Sequence, residues 1–163
     1  MKINIRYAVQ EDCTRIRPLQ QEIADLHHEG RPDLFKTQAR FFTEEDFAER
    51  LNNPKHTVLI AETTDGTVVG YAFGWIKICR NHSNPVLCDR KVLYIDDICV
   101  LKAYQRNGIG RKLFDCCKTI AQENKCKLVE LGVWAFNTEA IAFYRSCGMK
   151  ERIYRMECTL EEK

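Results

Sequence analysis

Apolar and polar positions alternate at Ile3, Ile5 and Tyr7, the period of two expected for a first, edge strand. The period then lengthens. Ile16, Leu19, Ile23 and Leu26 recur at helical spacing behind Asp12, and Pro18 among them demands either a kink or a fresh helix start. Gly30-Arg31-Pro32-Asp33 breaks that helix, and Thr43 with Asp46 forms a capping pattern for a short helix to Leu51, ended by Asn52-Asn53-Pro54. Thr57 to Thr63 reads as a buried strand, and the Asp65-Gly66 turn returns the chain antiparallel as Val68 to Ile78. A polar loop over 79–91, holding Pro85, leads into a strand from Tyr94 to Leu101. Leu113, Phe114, Cys117, Ile120 and Ala121 then mark one face of a helix that starts at the Gly108-Gly110 turn and reaches Asn124. Val129, Leu131 and Val133 alternate as a strand, a helix over Thr138 to Cys147 stops at Gly148, and Tyr154, Met156, Cys158 and Leu160 predict a last strand.

The passage strand, helix, strand around residue 110 implies a crossover between parallel neighbours, whereas the earlier hairpin is antiparallel. The pattern therefore predicts an α/β (α+β) fold. The expectation is one domain over residues 1–163, with a mixed, mostly antiparallel sheet of about six to seven strands and helices on both faces.

Composition narrows the function only by exclusion. Hydrophobic residues make up 45% and charged residues 29% of the chain, and a net charge of +2 is too small to argue for a nucleic-acid partner. No stretch approaches the length needed to span a bilayer, and MKINIRYAVQ lacks the apolar run of a signal peptide, so no membrane partner and a cytoplasmic location are expected. Nine cysteines are odd in number, scattered and never spaced as CxxC, which signals neither a disulfide framework nor a zinc site; they read mostly as small buried hydrophobes. The histidines, with His27 and His28 adjacent, have no metal-ligand spacing, and no metal is expected.

The chemistry concentrates in YIDDICVLKAYQRNGIGR, residues 94–111. Asp96 and Asp97 interrupt a run rich in Ile, Val and Tyr, and a buried strand does not hold two carboxylates without a reason. On a regular strand they point to opposite sheet faces. Gln105, Gly108 and Gly110 follow, placing backbone free of side chains where amide N–H groups converge on an anion at a helix N-terminus, with Arg106 and Arg111 adding positive charge. Neither the dinucleotide fingerprint GxGxxG nor the GxxxxGK[ST] phosphate loop is present.

QRNGIG resembles the [QR]-x-x-G-x-[GA] pyrophosphate loop of the GNAT superfamily of acetyl-CoA-dependent N-acetyltransferases, and YIDDICV is similar to that family's central strand. Downstream, Asn137 and AIAFYRSCG (140–148) resemble the family's N-x-x-A-x-x-F-Y-x-x-x-G-F segment, with Met149 in place of the final Phe. The resemblance is close over the C-terminal half and extends to the N-terminal half in layout alone.

It implies that acetyl-CoA is the acyl donor, with Gln105, Arg106, Asn107, Gly108, Ile109, Gly110 and Arg111 around the pyrophosphate. It also implies that the backbone of Ile98, Cys99 and Val100 runs beside the pantetheine arm, that Asn137 helps hold the arm, and that Tyr144 protonates the departing thiolate. Either Asp96 or Asp97 can serve as general base or as a structural carboxylate; relatives resembling polyamine acetyltransferases carry Glu-Asp there, which favours Asp96. The expected reaction is acetyl transfer to a primary amine, of a small molecule or a protein, by direct attack, with the acceptor left open and a homodimer expected by family habit. The alternative is a non-catalytic acyl-CoA-binding, sensor or protein-interaction module on the same fold. Acceptor specificity is expected to reside in residues 27–42 and 79–91.

Overall fold

In the computed structural model, which describes residues 2–37, 41–80 and 86–160, Pro18 starts a new helix. A short α1 (Asp12–Arg15) ends at Ile16, and α2 (Arg17–Gly30) begins with proline in its first turn, where the missing N–H costs nothing. The capping pattern at Thr43 is formed: Thr43 accepts a hydrogen bond from the Asp46 amide at 3.0 Å and opens α3 (Glu44–Asn52).

The chain divides into two compact units, Met1–Gly132 and Val133–Lys163. The first contains a five-stranded sheet in sequence order: β1 (Ile3–Tyr7), β2 (His56–Thr63), β3 (Val68–Cys79), β4 (Arg90–Val100) and β5 (Leu128–Leu131). The first three pairings are antiparallel, and β5, reached through α4 (Ile109–Glu123), lies parallel to β4. Gly66, at a φ of +85° in the turn between β2 and β3, takes the backbone conformation for which that turn recruits glycine.

The sheet is covered by helices whose apolar stripes match the two side-chain parities of the strands. Cys13, Ile16, Leu19 and Phe47 from α1 to α3 form one core with Val58, Ile60, Tyr71, Phe73 and Cys99. The α4 stripe of Ile109, Leu113, Phe114, Cys117 and Ile120 is also buried, and α4 packs on β3 and β4. Gly70 permits this approach, since a Cβ there would meet the Cys99 carbonyl at 3.0 Å and Leu113 at 3.3 Å. At the far corner, buried Asp12 receives Arg6 at 2.6 and 3.0 Å and Arg15 at 2.7 Å, tying β1 to the first helix.

Three expectations are corrected. Among the described residues the sheet has five strands, not six or seven, because residues 149–160 carry no strand and the alternating Tyr154, Met156, Cys158 and Leu160 are all exposed. Alternation permits a strand, but a strand exists only where a ladder satisfies its backbone. Secondly, the strands reach further than the loop expected over 79–91 allows, since β3 runs to Cys79 and β4 begins at Arg90; Pro85 and its neighbours, 81–85, lie outside the described residues, as do 38–40. Thirdly, β4 is not regular. Phe73 pairs with Asp97 and Gly74 with Ile95, which leaves Asp96 as the extra residue of a β-bulge.

The second unit holds α5 (Thr138–Ser146), capped at its start by the Asn137 side chain, which accepts from the Ala140 amide at 3.1 Å. Gly148, at a φ of +88°, closes the other end, with the Met149 amide donating back to the Tyr144 carbonyl.

Candidate active site

The bulge decides where the two carboxylates go. Asp97, paired with Phe73, faces the α1–α3 side of the sheet and accepts a hydrogen bond from the hydroxyl of Tyr71, a fully buried residue two positions from Phe73 on β3. Asp96 stands outside the alternation and is exposed. Burial, reinforced by the charge of Asp96, pushes the Asp97 carboxyl up to about 6 against the opposing pull of the Tyr71 hydrogen bond. Burial beside Asp97 drives the Tyr71 phenol the same way, far above the ordinary tyrosine range, so Tyr71 keeps its proton and Asp97 is the acceptor of the pair.

Asp97 and Tyr71 open on a cleft of about 310 Å3 walled by α2 and the segment after it, including Gln20, Ile23, His27, Phe35, Lys36 and Phe42. Gln20 is 6% exposed, and its Oε1 is sealed from solvent with no hydrogen-bond partner among the described residues. Burial lowers the pKa of His27, leaving a neutral imidazole beside Phe35, whose ring it stacks on at 4.9 Å.

On the other side of β4 the sheet splits. Pairing with β5 runs from Val92 opposite Leu128 to Ile95 opposite Leu131 and stops there, so β5 does not continue beside Asp96–Val100. Ile98 and Val100 are half-buried, whereas the Cys99 thiol is committed to the core, donating to the Leu19 carbonyl at 3.6 Å and pushed up by burial. What this stretch can offer a ligand is backbone.

The turn that follows is stitched from within. The Gln105 amide donates to the Val100 carbonyl at 3.0 Å, and Asn107 donates to the carbonyls of Tyr104 and Gln105 at 3.2 and 3.0 Å. Arg106 at a φ of +63° and Gly108 at +75° bend the chain so that α4 starts at Ile109, whose side chain is buried. A Cβ built at Gly108 would meet nothing within 4 Å, so the space above this turn is open. Gly110 stands in the first turn of α4 beside exposed Arg111, where the leading N–H groups of a helix lack partners within it. An uncovered strand edge leading into an open, anion-accepting turn fits the pantetheine and pyrophosphate of an acyl-CoA. Gln105 and Asn107 shape that turn instead of presenting side chains to it.

In the second unit, Tyr144 lies on α5, half-buried, with its ring 5.1 Å from that of Phe143. Asn137 spends its side-chain oxygen on the helix cap.

Two residues of this geometry escape a reading of the sequence alone. Gln20 falls four positions after Ile16 and three before Ile23, a polar residue within an apolar helical stripe, and that was the available signal. Tyr71 stands between Val69 and Phe73 on a buried strand, where a phenol needs a polar partner.

The sequence profile of the Acetyltransferase (GNAT) family matches residues 20–149, and the chain belongs to that family. Human spermidine/spermine N(1)-acetyltransferase-like protein 1 is 29% identical over 150 residues, covering 88% of this chain, which spans only 20% of that longer protein. Thialysine N-epsilon-acetyltransferase from Bos taurus is 25% identical over 156 residues, covering 91% of this chain and 85% of the relative. Among solved structures, the tetramutant of the BH1408 protein from Bacillus halodurans is similar with a TM-score of 0.90 at 27% identity, over 96% of this chain and 99% of the other. Glucosamine-6-phosphate N-acetyltransferase from Arabidopsis thaliana shares the fold, with a TM-score of 0.68 at 18% identity over 98% of this chain and all of the other. Among the described residues, no helix is long and apolar enough to cross a membrane.

Proposed function

We propose that this acetyltransferase moves an acetyl group from acetyl-CoA to a small primary amine, with Asp97 receiving the ammonium proton and Tyr144 returning one to the departing thiolate. The observation that carries the reading is the bulge at Asp96. Pairing with β5 ends at Ile95, just before it, and just after it Asp97 lines a cleft, so a donor edge and an acceptor cleft adjoin one strand segment. The relatives' names, spermidine/spermine N(1)-acetyltransferase-like protein 1 and thialysine N-epsilon-acetyltransferase, support an amine as acceptor.

An alkyl amine with a pKa of about 10 is protonated near neutral pH and has no lone pair to offer. A carboxylate raised to about 6 is a better base than an ordinary aspartate and is still ionised at pH 7. Once Asp97 takes one proton, the nitrogen forms its bond to the acyl carbonyl carbon while the carbon–sulfur bond breaks and its electron pair leaves on sulfur. The sulfur gains a proton, the role that the resemblance of AIAFYRSCG to the family segment gives to the Tyr144 hydroxyl, and the nitrogen loses its second proton. Of the two protons the ammonium loses, one ends on CoA and one passes through Asp97 to solvent. We assign the base to Asp97 instead of Asp96 because Asp97 lines the cleft and is held there by Tyr71.

Thiol release from acetyl-CoA with a panel of amines tests this reading. Turnover is expected with at least one primary amine, and Tyr144→Phe should keep acetyl-CoA affinity while lowering kcat by about 100-fold. Stabilisation by acetyl-CoA without thiol release for any amine would instead make the protein a binding module, and an unchanged kcat in Tyr144→Phe would remove that residue from the chemistry.

A further inference from the structure

The charged groups among the described residues that line the cleft are few and opposed. Among the described lining residues, Asp97 is the one carboxylate and Lys36 the one permanent cation, because burial keeps His27 neutral near pH 7. They differ in depth. Asp97 is half-buried on the strand and held by a fully buried tyrosine, whereas Lys36 is exposed. The rest of the described lining carries no further charge: Ile23, Phe35 and Phe42 offer contact to methylene groups, and Gln20 is an uncharged polar group beside them.

An acceptor with several ammonium groups would gain one attraction at Asp97 and meet repulsion at Lys36. An acceptor with one ammonium and one anion gains at both. The volume of about 310 Å3 is at the lower end for ligand clefts and suits a short, slender molecule.

We propose that the cleft selects a small amine that carries a single ammonium at one end and an anionic group at the other, with Asp97 receiving the ammonium and Lys36 the anion. This rests on the acetyl-transfer reading and names the acceptor class within it. Lys36 is a specificity residue and takes no part in proton transfer. Exposed ion pairs are weak and screened by salt, so the discrimination should be about three- to tenfold in kcat/KM, expressed in KM and fading at high ionic strength.

The test compares three series of matched length at saturating acetyl-CoA: n-alkylamines, ω-amino acids and α,ω-diamines. For the unmodified protein, the ω-amino acids should lead and the diamines trail. Lys36→Gln should bring the ω-amino acids and diamines close together, and Lys36→Glu should put the diamines first. Both substitutions fall on an exposed side chain, so folding is not at stake. Diamines leading in the unmodified protein, or an order that neither substitution changes, would overturn the proposal while leaving acetyl transfer standing. Absence of thiol release with every member of all three series would overturn both.

Discussion

The two halves of β4 are built to different rules. From Val92 to Ile95 the strand is paired on both sides, with Val92, Leu93 and Ile95 buried, and β3 approaches so closely that a Cβ on Gly74 would lie 2.9 Å from the Tyr94 carbonyl. From Asp96 to Val100 it carries both carboxylates, is paired from Asp97 onward with β3 but not with β5, and leads into the open turn at Gly108. One extra residue separates the halves. A bulge costs a ladder position and gains an abrupt change in what the strand presents, which is why one strand can serve as core at one end and as chemistry at the other.

Replacing a carboxylate on each side of that boundary gives the largest expected effect. Asp97→Asn retains an acceptor for the Tyr71 hydroxyl but loses the base, and should lower kcat/KM near neutral pH by about 100-fold, whereas exposed Asp96→Asn should change it far less. The unmodified enzyme should gain activity as pH rises through about 6, as Asp97 ionises, and that limb should vanish in Asp97→Asn. Stability should move the other way. A carboxyl whose folded pKa lies above its unfolded value favours the fold most below the unfolded pKa, near 4, and loses that contribution as pH rises through about 6. Asp97→Asn should therefore melt no lower than the unmodified protein at pH 7 and lose the destabilisation between pH 4 and 7. Equal activity losses in the two variants, or a lower melting temperature for Asp97→Asn, would erase the distinction between the carboxylates.

The first half can be broken by volume alone. Gly74→Val forces a branched side chain toward the Tyr94 carbonyl, a backbone atom that cannot swing aside, and overpacking of this kind costs about 1–3 kcal/mol. A lower denaturation midpoint with KM values unchanged is expected. If the variant instead keeps its stability and loses amine affinity, the tightly paired half is part of the site.

The sequence carries this fold unevenly, for reasons visible in single residues. Ile16, Leu19 and Ile23, the Thr43 cap and the Asp65-Gly66 turn are local signals, readable because each depends on neighbours within a few positions. Pro18 states that the helix must break or restart, but only packing selects the restart at Arg17. The bulge leaves no such trace. A period of two says nothing of register, so Asp96 and Asp97 read as alternating until Phe73 and Gly74 are seen opposite them. The Tyr71–Asp97 pair joins residues 26 positions apart, and the cleft adds a helix some fifty residues earlier, a distance no spacing rule reaches. The opposite failure occurs at Tyr154 to Leu160, where clear alternation meets no ladder.

Gln20 gives the smallest effect and the sharpest reading of the second half. Its side chain lies in an apolar stripe beside Leu19, lines the cleft with Asp97, and leaves a buried oxygen without a hydrogen bond. An unsatisfied buried acceptor costs about 1–3 kcal/mol, and an apolar replacement of similar shape recovers part of that. Gln20→Leu should therefore raise stability by about 1 kcal/mol, some 2–4 °C in Tm for a chain of this size. A polar group kept at such a cost in a cleft beside the proposed base is expected to be used by the acceptor, so the same variant should raise KM for the amine and leave KM for acetyl-CoA unchanged. Thermal melting and steady-state kinetics on one preparation decide it. Higher Tm with higher amine KM marks Gln20 as part of the acceptor cleft, whereas a lower Tm means that the amide supports the core and that the cleft ends at Asp97.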